Sequence, residues 1–105
     1  MIIHSLKAIK GKLKFKKFTF ELVGYDFILD EDLQSYIIEV NTNPCIEESS
    51  QLLKTLIPRM IDDMFKLTID TVFNSNERSP TSQSSFSVPG YEDSANMWEH
   101  VYTLT

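Results

Sequence analysis

Glycine is scarce in this chain of 105 residues, and its three glycines, Gly11, Gly24 and Gly90, stand far apart, which excludes a glycine-rich phosphate loop. Cysteine is scarcer still. The single Cys45 cannot form an intramolecular disulfide, and with only His4 and His100 beside it there is no zinc-like Cys/His spacing, so Cys45 reads as a small packing residue. No run of about 18 apolar residues exists, so no membrane span is expected. The N-terminus also lacks the continuous apolar segment of a secretory signal. These absences lead to the expectation of a soluble, intracellular protein with no membrane partner. Acidic residues are missing before Glu21, yet the net charge of −5 argues against a nucleic-acid partner. No internal repeat is visible.

What is present is enough for one small domain, since 42% apolar residues are compatible with a packed core. The most informative run is Tyr36-Ile37-Ile38-Glu39-Val40-Asn41-Thr42-Asn43-Pro44, an apolar strand that carries an acid and an amide two residues apart. Side chains alternate along a strand, so Glu39 and Asn41 are expected on one face with Ile37, and Tyr36, Ile38 and Val40 on the other. The run Thr19-Phe20-Glu21-Leu22-Val23-Gly24-Tyr25-Asp26-Phe27-Ile28-Leu29 reads as a second strand, and the polar residues 30–35 between the two complete a hairpin. A four-residue loop at 31–34 pairs Asp30 with Ser35 and Ile28 with Ile37, and it sets Asp26 opposite Glu39. Like charges facing across a ladder repel, which raises one carboxyl pKa or calls for a counter-ion. Mg²⁺ suits such a place, because it takes one or two carboxylates together with phosphate oxygens and water, and the Asn41 carbonyl adds an oxygen without charge. The alternative is that Asp26 and Glu39 are ordinary solvated residues on the open face of a sheet.

Phe20-Glu21-Leu22-Val23-Gly24-Tyr25-Asp26-Phe27-Ile28-Leu29-Asp30-Glu31-Asp32-Leu33, followed by Ile37-Ile38-Glu39-Val40-Asn41-Thr42-Asn43-Pro44, resembles the C-terminal part of the tubulin–tyrosine ligase-like family. The resemblance spans residues 2–73. It implies an ATP-grasp fold, here an α+β C-terminal portion with an antiparallel hairpin, an N-terminal helix and a long C-terminal helix. It also implies ATP- and Mg²⁺-dependent joining of an amino acid to a carboxylate, usually on tubulin. Asp26, Glu39 and Asn41 fall on the family's metal-binding positions, where they hold Mg²⁺ against the nucleotide phosphates and do not act as nucleophiles.

In that chemistry ATP phosphorylates a carboxylate, an amino group attacks the acyl phosphate, and an amide forms with release of phosphate. Phosphoryl transfer depends mainly on positioning and on neutralising phosphate charge, which is why oxygen ligands are needed. The lysines, adenine-contacting hinge and phosphate-covering loop that precede this segment in relatives are not in the sequence. The expectation is therefore a partial ligase segment that pairs with a missing ligase portion, with catalysis by the chain alone in doubt. The competing class is a noncatalytic tubulin-binding or ciliary structural protein derived from a ligase. Either reading leads to a cytoplasmic, cytoskeletal location such as a cilium or basal body. Which amino acid is transferred, by tyrosination, glutamylation or glycylation, stays open.

Around the motif, Ile2, Leu6, Ile9 and Leu13 recur at helical spacing and predict an amphipathic helix over 2–13. Lys7, Lys10, Lys12, Lys14, Lys16 and Lys17 make up six of the ten basic residues. They read either as a solvated face or, given the resemblance, as a surface that steers tubulin's acidic tails, with Lys12, Lys14, Lys16 and Lys17 at its centre. Leu53, Ile57, Met60, Ile61, Met64, Leu67 and Val72 predict a long helix ending near Phe73, started or kinked by Pro58 and packed on the strand face of Ile38 and Val40. Residues 1–73 are thus expected to form a partial ligase domain. Residues 74–90 read as a flexible linker with a turn at Pro89-Gly90, and residues 91–105 as a tail in which Ser94 caps a short docking helix with Met97, Trp98, Val101 and Tyr102.

Overall fold

The computed structural model describes residues 1–73 and 79–105, so the first five residues of the expected linker lie outside the described residues. The architecture is α+β: helix α1 (Ile2–Ile9), strands β1 (Gly24–Leu29) and β2 (Ser35–Asn41), then helices α2 (Gln51–Leu67) and α3 (Ile69–Phe73). The chain forms two compact units, Met1–Cys45 with Val101–Thr105, and Ile46–His100. Among the described residues no helix is long and apolar enough to cross a membrane.

In the first unit the predicted N-terminal helix stops at Ile9 and tightens into a 3₁₀ turn at Lys10–Lys12. The hairpin is antiparallel, and its register departs from expectation in an informative way. Leu29 pairs with Ser35, Ile28 with Tyr36 and Phe27 with Ile37, one step out of the predicted ladder, and then Asp26 pairs with Glu39. Ile38 is the extra residue of a β-bulge.

The shift begins in the turn. Asp30 Oδ1 accepts hydrogen bonds from the backbone N–H of Asp32 and of Gln34, each at 2.9 Å, while Asp30 Oδ2 accepts from the Tyr36 hydroxyl at 3.1 Å. Asp30 is thereby drawn into a five-residue connection that ends at Gln34, and Leu33 takes the left-handed conformation with φ +60°. Without the bulge this longer turn would place Ile38, not Glu39, opposite Asp26.

The bulge also corrects the expected faces. Paired residues share a face, so Ile37 lies with Tyr25, Phe27 and Leu29, whereas Asp26, Glu39 and Asn41 lie with Ile28 and Tyr36. Helix α1 covers the first of these faces. Ser5 Oγ and the Tyr25 hydroxyl are 2.9 Å apart, and Met1, Ile2 and Ile3 border an apolar cavity with Phe27, Leu29 and Val101. Tyr25 and Phe27, two residues apart on that face, stack with ring centroids 5.9 Å apart. A two-stranded hairpin is marginal on its own, and this cover on one face is what α1 contributes. Gly24 allows the chain after β2 to approach closely, since a Cβ there would lie 3.1 Å from the Pro44 Cβ.

In the second unit Ser50 caps α2 by accepting the Leu53 N–H at 3.2 Å. Pro58 lies inside this helix and does not begin it. The expected packing partners of α2, Ile38 and Val40, fall in the other unit. Both of those residues are exposed, and α2 is covered within its own unit by residues 79–98. The expected helix over Ser94 to Tyr102 does not form either, and that stretch is a series of turns and extended backbone. Its polar groups explain why. Asn96 Nδ2 donates to the Asp63 and Pro80 carbonyls at 3.0 and 2.9 Å, the Met97 N–H donates to Asp63 Oδ2 at 2.9 Å, and Trp98 Nε1 donates to the Met60 carbonyl at 2.9 Å. These tertiary bonds replace the ladder a helix would have made. The turn predicted at Pro89-Gly90 is present, with Gly90 at φ +87° and the Tyr91 N–H donating to the Val88 carbonyl at 3.1 Å. Ser84 and Val88 are buried, so part of the stretch expected as a linker packs into this unit. Cys45, expected as a packing residue, is exposed.

Candidate metal centre

Asp26, Glu39 and Asn41, drawn from the two strands, meet on the hairpin face that α1 leaves open. Asn41 Nδ2 donates to Glu39 Oε1 at 3.0 Å along β2 and to Asp26 Oδ2 at 3.4 Å across to β1. The amide therefore stands between two carboxylates and brings its partial positive charge to both. That compensation is incomplete. A proton shared with Glu39 raises the Asp26 carboxyl above its ordinary value, and slight desolvation and the Glu39 charge act in the same direction.

The donor set is hard, exposed and composed of oxygens once the amide is turned to present Oδ1. Two carboxylates and an amide oxygen suit Mg²⁺ better than a soft metal, with the remaining positions left to water or phosphate oxygens. Among the described residues no group of three or more His, Cys, Asp or Glu side chains could hold a metal, so a cation here depends on the amide as well as the acids. The residues fit the ion that their spacing and resemblance imply.

Lys12, Lys14, Lys16 and Lys17 are all exposed, Lys12 in the 3₁₀ turn and the others in the irregular stretch before β1. They make no ion pair with an acid among the described residues.

A second polar assembly was not anticipated from the sequence. Arg59, Asp63 and Lys66 on α2 are fully buried, at 0%, 0% and 1% exposure. Arg59 Nε binds Asp63 Oδ2 at 2.8 Å, and its two terminal nitrogens donate to the carbonyls of Phe86, Glu92 and Ala95 at 3.0, 2.7 and 2.6 Å. Lys66 Nζ binds Asp63 Oδ1 at 3.0 Å and donates to the Ser82 carbonyl at 2.6 Å. Burial would raise the Asp63 pKa, but the Met97 N–H, Arg59 and Lys66 together hold it below its ordinary value. The signal in the sequence was the alternation of charge at 59, 63 and 66, one stripe of a helix.

The description "Tubulin-tyrosine ligase family" matches residues 1–80 of this chain. The chain belongs to that family. Among its relatives, a protein named Tubulin glycylase 3B from Tetrahymena thermophila is 34% identical over 70 residues, 67% of this chain and 6% of the relative. Protein polyglycylase TTLL10 from Rattus norvegicus is 34% identical over 68 residues, 65% of this chain and 10% of the relative. A protein named Inactive polyglycylase TTLL10 from Homo sapiens is 31% identical over 71 residues, 68% of this chain and 10% of the relative. The chain thus spans a tenth or less of these tubulin–tyrosine ligase family members. No solved structure matches it.

Proposed function

We propose that this chain supplies the metal-holding segment of an ATP-grasp ligase that joins an amino acid to a carboxylate of tubulin. The observation that carries the reading is the Asp26–Glu39 opposition with Asn41 between them, on an open face, in a member of this family. Asp26 and Glu39 would hold Mg²⁺ with the Asn41 carbonyl oxygen. The ion, when bound, neutralises charge on the phosphates of ATP during phosphoryl transfer. These three side chains position and do not attack. The hairpin sets the two carboxylates opposite each other, the bulge at Ile38 turns Glu39 onto the Asp26 face, and the Tyr36 hydroxyl donates to Asp30 at the turn. Among tyrosination, glutamylation and glycylation, the names of the relatives favour glycine as the amino acid. The exposed Lys12, Lys14, Lys16 and Lys17 would draw an acidic tubulin tail by long-range attraction, and the location that follows is cytoskeletal, at a cilium or basal body.

The second reading, a noncatalytic tubulin-binding or ciliary structural protein, is favoured by one observation: a relative of similar identity carries the name of an inactive polyglycylase. One experiment separates the two. The matching segment of an active relative is exchanged for residues 1–80 of this chain, and ATP-dependent incorporation of labelled glycine into tubulin is measured with and without Asp26→Asn. Incorporation that Asp26→Asn abolishes supports the ligase reading. Incorporation that survives it removes Asp26 from metal binding, and a correctly folded but inactive exchange favours the binding protein.

A further inference from the structure

Asn41 is the neutral member of the candidate metal centre, and its amide has two ends of opposite polarity. The NH₂ end only donates hydrogen bonds, and the carbonyl end only accepts them or ligates a cation. In the structure the NH₂ end faces the acids. Nδ2 donates to Glu39 Oε1 at 3.0 Å and to Asp26 Oδ2 at 3.4 Å, and its two protons suffice for one to each carboxylate. The opposite orientation would set Oδ1 against two carboxylate oxygens with no proton between them. Neither acid has another counter-charge, since the ion pairs among the described residues belong to Arg59 and Lys66 and none includes Asp26 or Glu39. The amide thus stands in for a cation between two acids that the ladder sets opposite each other.

A cation held by the same three side chains needs the reverse. The amide nitrogen has no free lone pair, so only Oδ1 can serve as the ligand. The two orientations exclude each other, being a half-turn about the Cβ–Cγ bond apart.

We propose that Asn41 gates this centre: its NH₂ group bars the space between Asp26 and Glu39 until a divalent cation displaces it, and a half-turn about Cβ–Cγ then makes Oδ1 a ligand. The proposal rests on the reading of Asp26, Glu39 and Asn41 as Mg²⁺ ligands and adds how they are kept for the ion. Among side chains of this size an amide does both jobs. A lysine at position 41 would neutralise the acids permanently and repel the cation. An aspartate would ligate but leave three carboxylates unbridged. All three side chains are exposed, so the half-turn is a rotamer change on the order of nanoseconds or less, and the gate sets affinity and not the rate of entry. Two hydrogen bonds between exposed groups hold the ligating rotamer to about one tenth of the population, which weakens cation binding by about tenfold. The result is a centre that stays bridged before the ion arrives and yields to it without any backbone movement.

Nuclear magnetic resonance of the full chain during titration with Mg²⁺ tests the gate. The carboxyl carbons of Asp26 and Glu39 report the ion, and nuclear Overhauser contacts from the Asn41 NH₂ protons to the Asp26 and Glu39 side chains report the amide. Those contacts are expected without Mg²⁺ and should vanish in step with the carboxyl shifts. Contacts that persist once the carboxyl signals have fully shifted would overturn the gate and leave the metal reading standing. Carboxyl signals that move at no Mg²⁺ concentration would overturn both. Asn41→Asp supplies a second measurement, because it keeps a ligating oxygen and has no N–H to give up. It should bind Mg²⁺ at least about tenfold more tightly than the unsubstituted chain and melt at a lower temperature without the ion. An affinity no higher than that of the unsubstituted chain would sink the proposal, since the added charge and the missing lock both act toward tighter binding. Position 41 is exposed, and the backbone spectrum of the variant shows whether the hairpin register is kept.

Discussion

Asp26 stands opposite Glu39 because Ile38 is left without a partner on β1. The turn at Asp30 shifts the ladder by one residue, and the bulge shifts it back before the acids meet. The two local irregularities thus cancel, and the like charges meet as they would in a regular hairpin with a four-residue loop. A sheet pays for such an arrangement in stability, and the Asn41 amide bridging the two carboxylates recovers only part of it.

The first prediction follows from the raised Asp26 pKa. A carboxyl that holds its proton more tightly when folded lowers stability as pH rises from its unfolded value through its folded one. Asp26→Asn should therefore raise the melting temperature of the metal-free chain at neutral pH and change nothing below the unfolded pKa. Added Mg²⁺ should stabilise the unsubstituted chain and leave Asp26→Asn unmoved. Thermal melts with and without Mg²⁺ across the acid range check this, and a variant destabilised at neutral pH would show that Asp26 is structural.

The α+β class, the hairpin, the Asp26–Glu39 pairing and the approximate helices were legible because each rests on local periodicity or on a motif. The Asp26–Glu39 pairing survived a wrong register because two errors cancelled. A four-residue loop without a bulge and a five-residue loop with one both bring Asp26 to Glu39. What the sequence hid was tertiary. Nothing in the polar composition of residues 79–98 shows that their carbonyls serve a buried guanidinium, and Arg59, Asp63 and Lys66 look like a solvated face until those carbonyls arrive. Ser94 looked like a helix cap, but Asn96, Met97 and Trp98 bond to α2 instead.

Leu33 gives the second prediction. It is largely exposed and has φ +60°, a conformation that glycine adopts without strain. Leu33→Gly should be neutral to stabilising by up to about 1 kcal/mol, the relief of strain being offset in part by glycine's greater unfolded freedom. Leu33→Ile, branched at Cβ, should destabilise by a similar amount. Urea denaturation measures both. A marked loss in Leu33→Gly would mean that the side chain, not the backbone, sustains the turn.

The third prediction concerns acidic tails. Lys12, Lys14, Lys16 and Lys17 lie close enough to act together within a screening length of about 8 Å at physiological salt, whereas a single exposed pair contributes little. Cosedimentation with microtubules should weaken as salt rises and on replacing the four lysines together, and Asp26→Asn should hardly matter. Equal binding to microtubules stripped of their tails by protease would return the lysines to a solvated surface.

The last prediction rests on the buried charges of α2. Asp63 faces Arg59 and Lys66 from its own helix and the Met97 N–H from the covering segment. Asp62 lies 3.5 Å from Lys66 Nζ, and Asp93 lies 3.8 Å from Arg59. Removing one partner leaves the others charged and dry, so Asp63→Ala should cost about 3–5 kcal/mol. Arg59→Lys keeps the charge but not the fork that reaches three carbonyls, and it should cost about 2–3 kcal/mol, as loss of several charge-assisted hydrogen bonds implies. Because the folded Asp63 pKa is depressed, its contribution is present above the unfolded value and is lost as pH falls through the folded one. Denaturant titration at neutral and acid pH gives both energies, and hydrogen exchange at Met97 reports release of the segment from α2. If Arg59→Lys left that exchange unchanged, the segment would be held by its turns and by Trp98 and not by the guanidinium.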